Sequence, residues 1–394
     1  MTAGGANQVV VLTAAGRSAV ASLLVDGPQA RELIAARFKP LSGRPFDGYP
    51  LRAVVVGRWG GPRGEEVVVC PRADDRIEVH CHGGLAAVSA LVNDLVQLGC
   101  RQLPWTAWLR LRECDPIRAA ARRSLADSRT LLTAAILLDQ YAGALHRGFH
   151  QIEWAILDGK LGQATATAEE MLGRAALGRH LVEPWRVVLA GRPNTGKSSL
   201  LNALLGYRRA IVNEQPGTTR DVVTARTALG GWPVELADTA GLTASCDPLE
   251  AAGVARTQEQ LRTADAVVLV LDASRPVRPE ETQLEVALPR AIRVHNKWDL
   301  AAPRVPDSAA LCVSALTGAG VDRLAAAIAI HLVPDPPPSG AAVPFRPAHV
   351  RVLAAVRSAL SQQDGVAALE LLRRLIAPRT GSTPSAAAGH RSLV

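Results

Sequence analysis

The stretch RVVLAGRPNTGKSSLLNALLG, residues 186–206, leaves a chain few ways to fold. Its opening apolar run reads as a strand buried on both faces, and the leucine spacing after Ser198 is helical. Between them Gly191, Gly196, Lys197 and Ser198 satisfy GxxxxGK[ST], in the strand-to-helix context that a phosphate cradle requires. Backbone N–H groups across Asn194, Thr195, Gly196, Lys197, Ser198 and Ser199 would face an anion at the helix N-terminus. Lys197 is spaced to reach β and γ phosphates, and Ser198 to place its hydroxyl on Mg2+.

A cradle of this kind needs a parallel sheet behind it, and the following sequence supplies one. The runs WPVELAD, AVVLVLD, AIRVHNK and LCVSA alternate with helical or loop stretches, which predicts an α/β domain over 185–334, mainly parallel, with helices on both faces. It closes with a helix at 321–333 and the break PDPPPSG at 334–340, where proline forbids helix continuation. Residues 119–184 are alanine- and leucine-dense with no proline before Pro184, and further helical segments are expected at about 347–361 and 365–377. The α/β domain is thus expected to sit inside a helical domain made of 119–184 and 335–378. Ahead of it, residues 1–118 predict an α+β domain: the runs NQVVVLTAAG, LRAVVVGRW, EEVVVC and RIEVHCHGG are β-rich, and 85–99 is helical. The tail at 379–394 is polar, rich in small residues and expected to be disordered.

Composition narrows the classes further. No run of about 18 apolar residues is present and the N-terminus lacks a signal-peptide pattern, so a cytoplasmic protein with no membrane partner is expected. The six cysteines are scattered without CxxC spacing, so neither a zinc ribbon nor a disulfide framework is suggested. A net charge of +8 suits either a polyanionic partner such as RNA or plain solvated surface charge. Only four lysines (Lys39, Lys160, Lys197, Lys297) stand against 40 arginines, so a lysine retained within a motif is informative.

Three further motifs follow the cradle in order. Asp238-Thr239-Ala240-Gly241 ends the strand WPVELAD, where Asp238 can order the water shell of Mg2+ and Gly241 can offer its N–H to the γ-phosphate. Asn296-Lys297-Trp298-Asp299 follows AIRVH, and it selects the base. A carboxylate at Asp299 accepts from the N1–H and exocyclic amine of guanine, a donor pair that adenine lacks, so the nucleotide should be GTP. Ser314, Ala315 and Leu316 are expected to complete the guanine pocket through their backbone. Between the phosphate cradle and Asp238 lies VNEQPGTTRD, 212–221, a glycine-flexed loop in which Thr219 can place its hydroxyl on the metal, tightening with GTP and loosening with GDP.

Leu242 occupies the position where many small GTPases carry a water-orienting glutamine, and a leucine cannot orient water. The polar candidate downstream is Glu250, although Asp247, Pro248 and Glu250 also form the N-cap, N1 proline and N3 glutamate of a helix start. His80, Cys81 and His82 do not read as a metal site, since alternation on a strand sends the cysteine to the opposite face. Trp105 and Trp108 read as packing residues.

The ordered set of Asn194, Gly217-Thr218-Thr219-Arg220-Asp221, Asp238-Thr239-Ala240-Gly241-Leu242, Glu250 and Asn296-Lys297-Trp298-Asp299 resembles the tRNA-modification GTPase MnmE (TrmE) family. The G domain alone is also similar to the ribosome-assembly GTPases Der and Era. Cys81-His82-Gly83-Gly84 after a β-rich domain, LLDQYAGALHRGFHQIEWAI at 137–156, and a G domain set between helical segments resemble the three-part layout of MnmE. The resemblance implies GTP hydrolysis with Lys197, Thr219 and Glu250 in catalytic roles, Glu250 orienting the water. It implies K+ held by Asn194 and the loop residues Asn213, Gln215 and Thr218, and two G domains pairing in a homodimer. It further implies action on tRNA wobble uridines with an MnmG-like flavoprotein.

The chain departs from the family pattern in two places. No cysteine follows Cys312, so the C-terminal Cys-x-Gly-Lys motif has no counterpart, and LPWTAWLRLRECDP replaces the segment tied to tetrahydrofolate binding. The resemblance is therefore to a divergent member, and these departures leave binding of a tetrahydrofolate derivative and one-carbon transfer open. The other function compatible with these departures is a paralogue that kept the GTPase switch and lost the modification chemistry, working as a regulatory or ribosome-assembly-linked GTPase.

Overall fold

The computed structural model describes residues 6–14, 16, 18–206, 224–238, 260–300 and 311–376. These form two compact units, one within residues 1–114 and one within 115–378.

The first unit contains β1 (Gln8–Val11), β2 (Val20–Asp26), α1 (Ala30–Arg37), β3 (Phe38–Pro40), β4 (Val55–Trp59), β5 (Glu65–Ala73), β6 (Arg76–His82), α2 (Leu85–Gln97), β7 (Arg101–Pro104) and α3 (Trp105–Arg112). Its seven-stranded sheet runs β3-β4-β5-β6-β2-β1-β7, antiparallel except where β1 pairs with β7. The period of two along β2 assigns its side chains to opposite faces. Leu23 and Val25 join a core with Ile34 of α1 and Leu91 and Leu95 of α2, whereas Leu24 packs with Val10, Trp108 and Leu109 on the other face. Asp26, at the end of β2, is buried and accepts hydrogen bonds from Trp108 Nε1 and from the Arg112 guanidinium, which ties α3 to the sheet. Trp108 is thus a core residue with its indole N–H satisfied. On β6, Cys81 is buried, whereas His80 is half-buried and His82 exposed.

The second unit begins with α4 (Pro116–Asp127), α5 (Leu131–Tyr141), α6 (Ala144–Leu157), α7 (Leu161–Gly173) and α8 (Ala175–Arg179). It continues through β8 (Trp185–Ala190), α9 (Lys197–Gly206), β9 (Thr224–Leu229), β10 (Trp232–Asp238), β11 (Ala266–Asp272), α10 (Pro279–Ala287), β12 (Ile292–Asn296), β13 (Leu311–Cys312) and α11 (Val321–Leu332). It ends with α12 (Pro347–Ser361) and α13 (Gly365–Ile376). The six strands are ordered β13-β12-β11-β8-β10-β9, all parallel except the edge strand β9, which pairs antiparallel with β10.

Strand β11 shows why the apolar runs are continuous. Val268 and Val270 pack toward Leu200, Leu204, Leu324 and Ile328 of α9 and α11, while Leu269 and Leu271 pack toward Leu284 of α10, so both faces are covered. Full burial of each such side chain stabilises the fold by about 1.5–3 kcal/mol.

The helical segments before and after the sheet share one core: Phe149 and Ile152 of α6, Ala168 and Met171 of α7, Leu353 and Val356 of α12. Gln140, fully buried on α5, stitches them, donating to Ala341 O at 3.0 Å and accepting from Val343 N at 3.1 Å. At the entry to the sheet, His180 stacks on Trp185 with ring centroids 3.6 Å apart. No described helix is long and apolar enough to cross a membrane.

Candidate nucleotide site

The carboxyl ends of β8, β10, β11 and β12 share one edge of the sheet. The registers Asp238↔Leu189 and Asp272↔Asn296 set the tips level, and the turn at 191–196 leads from β8 into α9. Leu200, Leu201 and Leu204 are buried and seat α9 against the sheet, so its N-terminal N–H groups face the loop. The loop reverses through left-handed backbone at Asn194 (φ +64°) and Gly196 (φ +88°). Only glycine fits at 196, because a Cβ there would lie 2.3 Å from Asn296 Nδ2.

Each turn of the loop is held by a side chain. Thr195 is buried and its Oγ1 donates to Arg192 O at 3.0 Å. Lys197 is buried, and its Nζ donates to Gly191 O at 3.0 Å and Arg192 O at 2.8 Å. Burial pushes the Lys197 ammonium below its ordinary pKa, against the opposing pull of Asp238. A cation curled over a loop of open N–H groups is a receptor for negative charge.

At the tips of α9 and β10, Ser198 Oγ donates to Asp238 Oδ2 at 2.6 Å. A hydroxyl and a carboxylate meeting beside the loop form an oxygen donor set, which suits a hard divalent cation such as Mg2+. Ser199 is exposed on the same turn of α9.

Asn296 braces the loop from the far side. It is buried, donates to Thr195 O at 2.9 Å and accepts from Ala315 N at 3.1 Å, which links the phosphate loop to the 314–316 turn through one amide. Lys297, left-handed at φ +60°, donates from Nζ to Asn194 O at 2.7 Å and Asp272 Oδ2 at 2.8 Å. Burial raises the Asp272 pKa, but the hydrogen bonds from Lys297 and Ser274 outweigh it and hold the carboxyl below its usual range. Asp299 is exposed in a short 3-10 turn, and Ser314 is buried with its Oγ accepting from Thr317 N at 3.1 Å. Leu316 is exposed.

The structure therefore brings Asn194, Thr195, Gly196, Lys197, Ser198, Asp238, Asn296, Lys297 and Ala315 into one connected edge. Asn213, Gln215, Thr218, Thr219, Gly241 and Glu250 lie outside the described residues. Asp272 was not among the residues expected from sequence. Its signal was its place as the polar residue closing the run AVVLVLD, where open α/β sheets put their ligand crevice.

The 50S ribosome-binding GTPase family matches residues 186–297, the span that contains this edge. Beyond it, the tRNA modification GTPase MnmE of Symbiobacterium thermophilum is 34% identical over 81% of this chain and 81% of its own length. The chain belongs to the MnmE family. A second MnmE, from Methylorubrum populi, is 37% identical over 79% of this chain and 78% of its own. Among solved structures, the G domain of the T. maritima FeoB iron transporter is 27% identical, covers 38% of this chain and 99% of that one, and has a TM-score of 0.29. As an MnmE-family GTPase, the chain hydrolyses GTP to GDP and phosphate.

Proposed function

We propose that this chain is a K+-stimulated GTPase of the MnmE type that acts in tRNA wobble uridine modification. The observation that carries the reading is the reach of the likeness. Curated MnmE proteins match it at 34% and 37% identity over about 80% of its length, far outside the residues 186–297 shared with GTPases at large. That reach also favours modification over a paralogue kept only for its switch.

In this reading the loop N–H groups and Lys197 bind the β and γ phosphates. Ser198 and Thr219 would hold Mg2+, Asp238 would order water around it, and Gly241 would donate to the γ-phosphate. Bound Mg2+ supplies charge neutralisation on the phosphates. Asn296 keeps the loop in register with the 314–316 turn, Lys297 flanks the base and Asp299 accepts from guanine, with Ser314, Ala315 and Leu316 completing the pocket. Glu250 orients the attacking water, since Leu242 cannot.

Asn194, Asn213, Gln215 and Thr218 would hold K+, which would supply positive charge where other GTPases use an arginine. Two copies pair through their G domains, in the cytoplasm, with an MnmG-like flavoprotein as partner and tRNA as substrate. The parts 1–118, 119–184 with 335–378, and 185–334 act as N-terminal, helical and G domains.

GTP turnover compared in KCl and NaCl tests the mechanism, with faster release of phosphate in KCl expected and equal rates overturning the K+ role. Wobble uridines in tRNA from a deletion strain test the process: loss of modification is expected, and normal levels would overturn it.

A further inference from the structure

Away from the phosphate loop, the second unit holds a cavity of about 550 Å3 at the N-terminus of α12, between α4, α8 and the segment 344–347. Beside the cavity α8 lies directly against that segment: a Cβ on Gly178 would sit 2.2 Å from Pro344 O. Its wall is largely apolar, built from Ala175, Ala176, Val182, Phe345 and Val350. A volume in this range with few polar groups is typical of sites for small organic molecules.

Two of its polar groups lack partners. Arg346, the N-cap residue of α12, is half-buried, and its guanidinium makes no hydrogen bond or ion pair among the described residues. Burial, and the nearby Arg123, disfavour its charge, against a weaker opposing pull from Asp127. A guanidinium does not shed its proton in a protein, so such a charge calls for an anion. Ser124, on α4, is 1% exposed, and its Oγ has no hydrogen-bond partner. A mid-helix serine usually bonds the carbonyl one turn back, and Ser124 leaves that bond unmade while lining the cavity.

The charge balance points the same way. Arg179, Arg346 and Arg351 line the cavity against one carboxylate, Glu183, which lies 3.9 Å from Arg179 and so offsets that residue rather than Arg346. The positive end of α12 adds to the same sign.

We propose that this cavity binds a small organic anion, its phosphate or carboxylate head held by Arg346 and the Ser124 hydroxyl and its apolar body seated against Phe345 and Val182. The site is separate from the GTP cradle and uses none of its residues.

Calorimetric titration of the full chain, with the phosphate loop saturated by GDP, tests this with phenyl phosphate, benzoate and inorganic phosphate. Saturable binding of phenyl phosphate or benzoate is expected, about tenfold tighter than inorganic phosphate because only the former use the apolar wall. Whichever of the two binds more tightly identifies the head group. Arg346→Gln should weaken that binding by about tenfold or more, and Ser124→Ala by several-fold. Ala176→Trp, an exposed position at the cavity, should abolish it without touching either polar group, which preserves the test if Arg346→Gln fails to fold. Absence of saturable binding for both organic anions, or undiminished binding in the Arg346→Gln and Ala176→Trp variants, would overturn the proposal.

Discussion

Ser198 Oγ and Asp238 Oδ2, on elements 40 residues apart in the chain, meet at 2.6 Å where α9 and β10 end side by side. Removing the hydroxyl leaves the carboxylate in place but takes away a hard oxygen ligand. Ser198→Ala is expected to lower the GTP turnover number about 100-fold or more while changing the thermal midpoint little. Phosphate release under saturating GTP checks this, and a rate within about threefold of wild type would remove Ser198 from metal binding.

Gly196→Ala tests the bracing of the loop. The new Cβ would stand 2.3 Å from Asn296 Nδ2, at a backbone φ of +88° that disfavours any side chain. Strain of about 1–2 kcal/mol and loss of the Asn296 bond to Thr195 should together destabilise the nucleotide site by about 2–4 kcal/mol. Titration with a fluorescent GDP analogue should show affinity reduced by about 100-fold, and wild-type affinity would count against the geometry described.

Asp299→Asn addresses base choice. The exposed carboxylate is replaced by an amide that can no longer accept two hydrogen bonds from guanine. GTP affinity should fall by about 100-fold, and affinity for xanthosine triphosphate, whose extra carbonyl the amide can donate to, should rise. Competition between the two nucleotides provides the readout; an unchanged preference would place guanine recognition elsewhere.

His349 supplies a pH dependence. Burial, then the neighbouring Arg346 and His146, push its imidazole down from 6.5 to about 4. Between those values the unfolded chain binds the extra proton and the folded one does not, so stability is full above about pH 6.5 and declines as pH falls toward 4. Between pH 7 and pH 5 the loss should be about 2 kcal/mol greater in wild type than in His349→Leu. Urea unfolding at the two pH values measures it, and equal losses would show that His349 titrates normally.

Much of the α/β layer is legible in the residues, because a parallel strand buried on both faces reads as an unbroken apolar run, and β8 and β11 do so. Strand β9 is not, since TARTAL interleaves polar residues along a sheet edge and is betrayed only by the Gly230-Gly231 turn that pairs it with β10. Strand β2, with helices α1 and α3, also lay outside the runs expected from sequence. Helix α3 is fixed by Trp108 and Arg112 reaching back to Asp26, a partner more than 80 residues away that no local window contains. At the nucleotide edge, the loop residues are announced by their spacing. Asp272 is not: its importance comes from Lys297 reaching across to it from the neighbouring strand tip.

The bond from Gln140 to Ala341 spans 201 residues, and it sets a clock on synthesis. At about 5–20 residues per second a ribosome needs roughly 10–40 s to deliver the second partner after the first. Throughout that interval Phe149 and Ile152 are without the α12 and α13 surfaces that complete their core, while the strands from β8 to β13 are already emerging. Closure of the helical seam therefore waits for the C-terminal residues, whatever the rate at which the earlier segments fold.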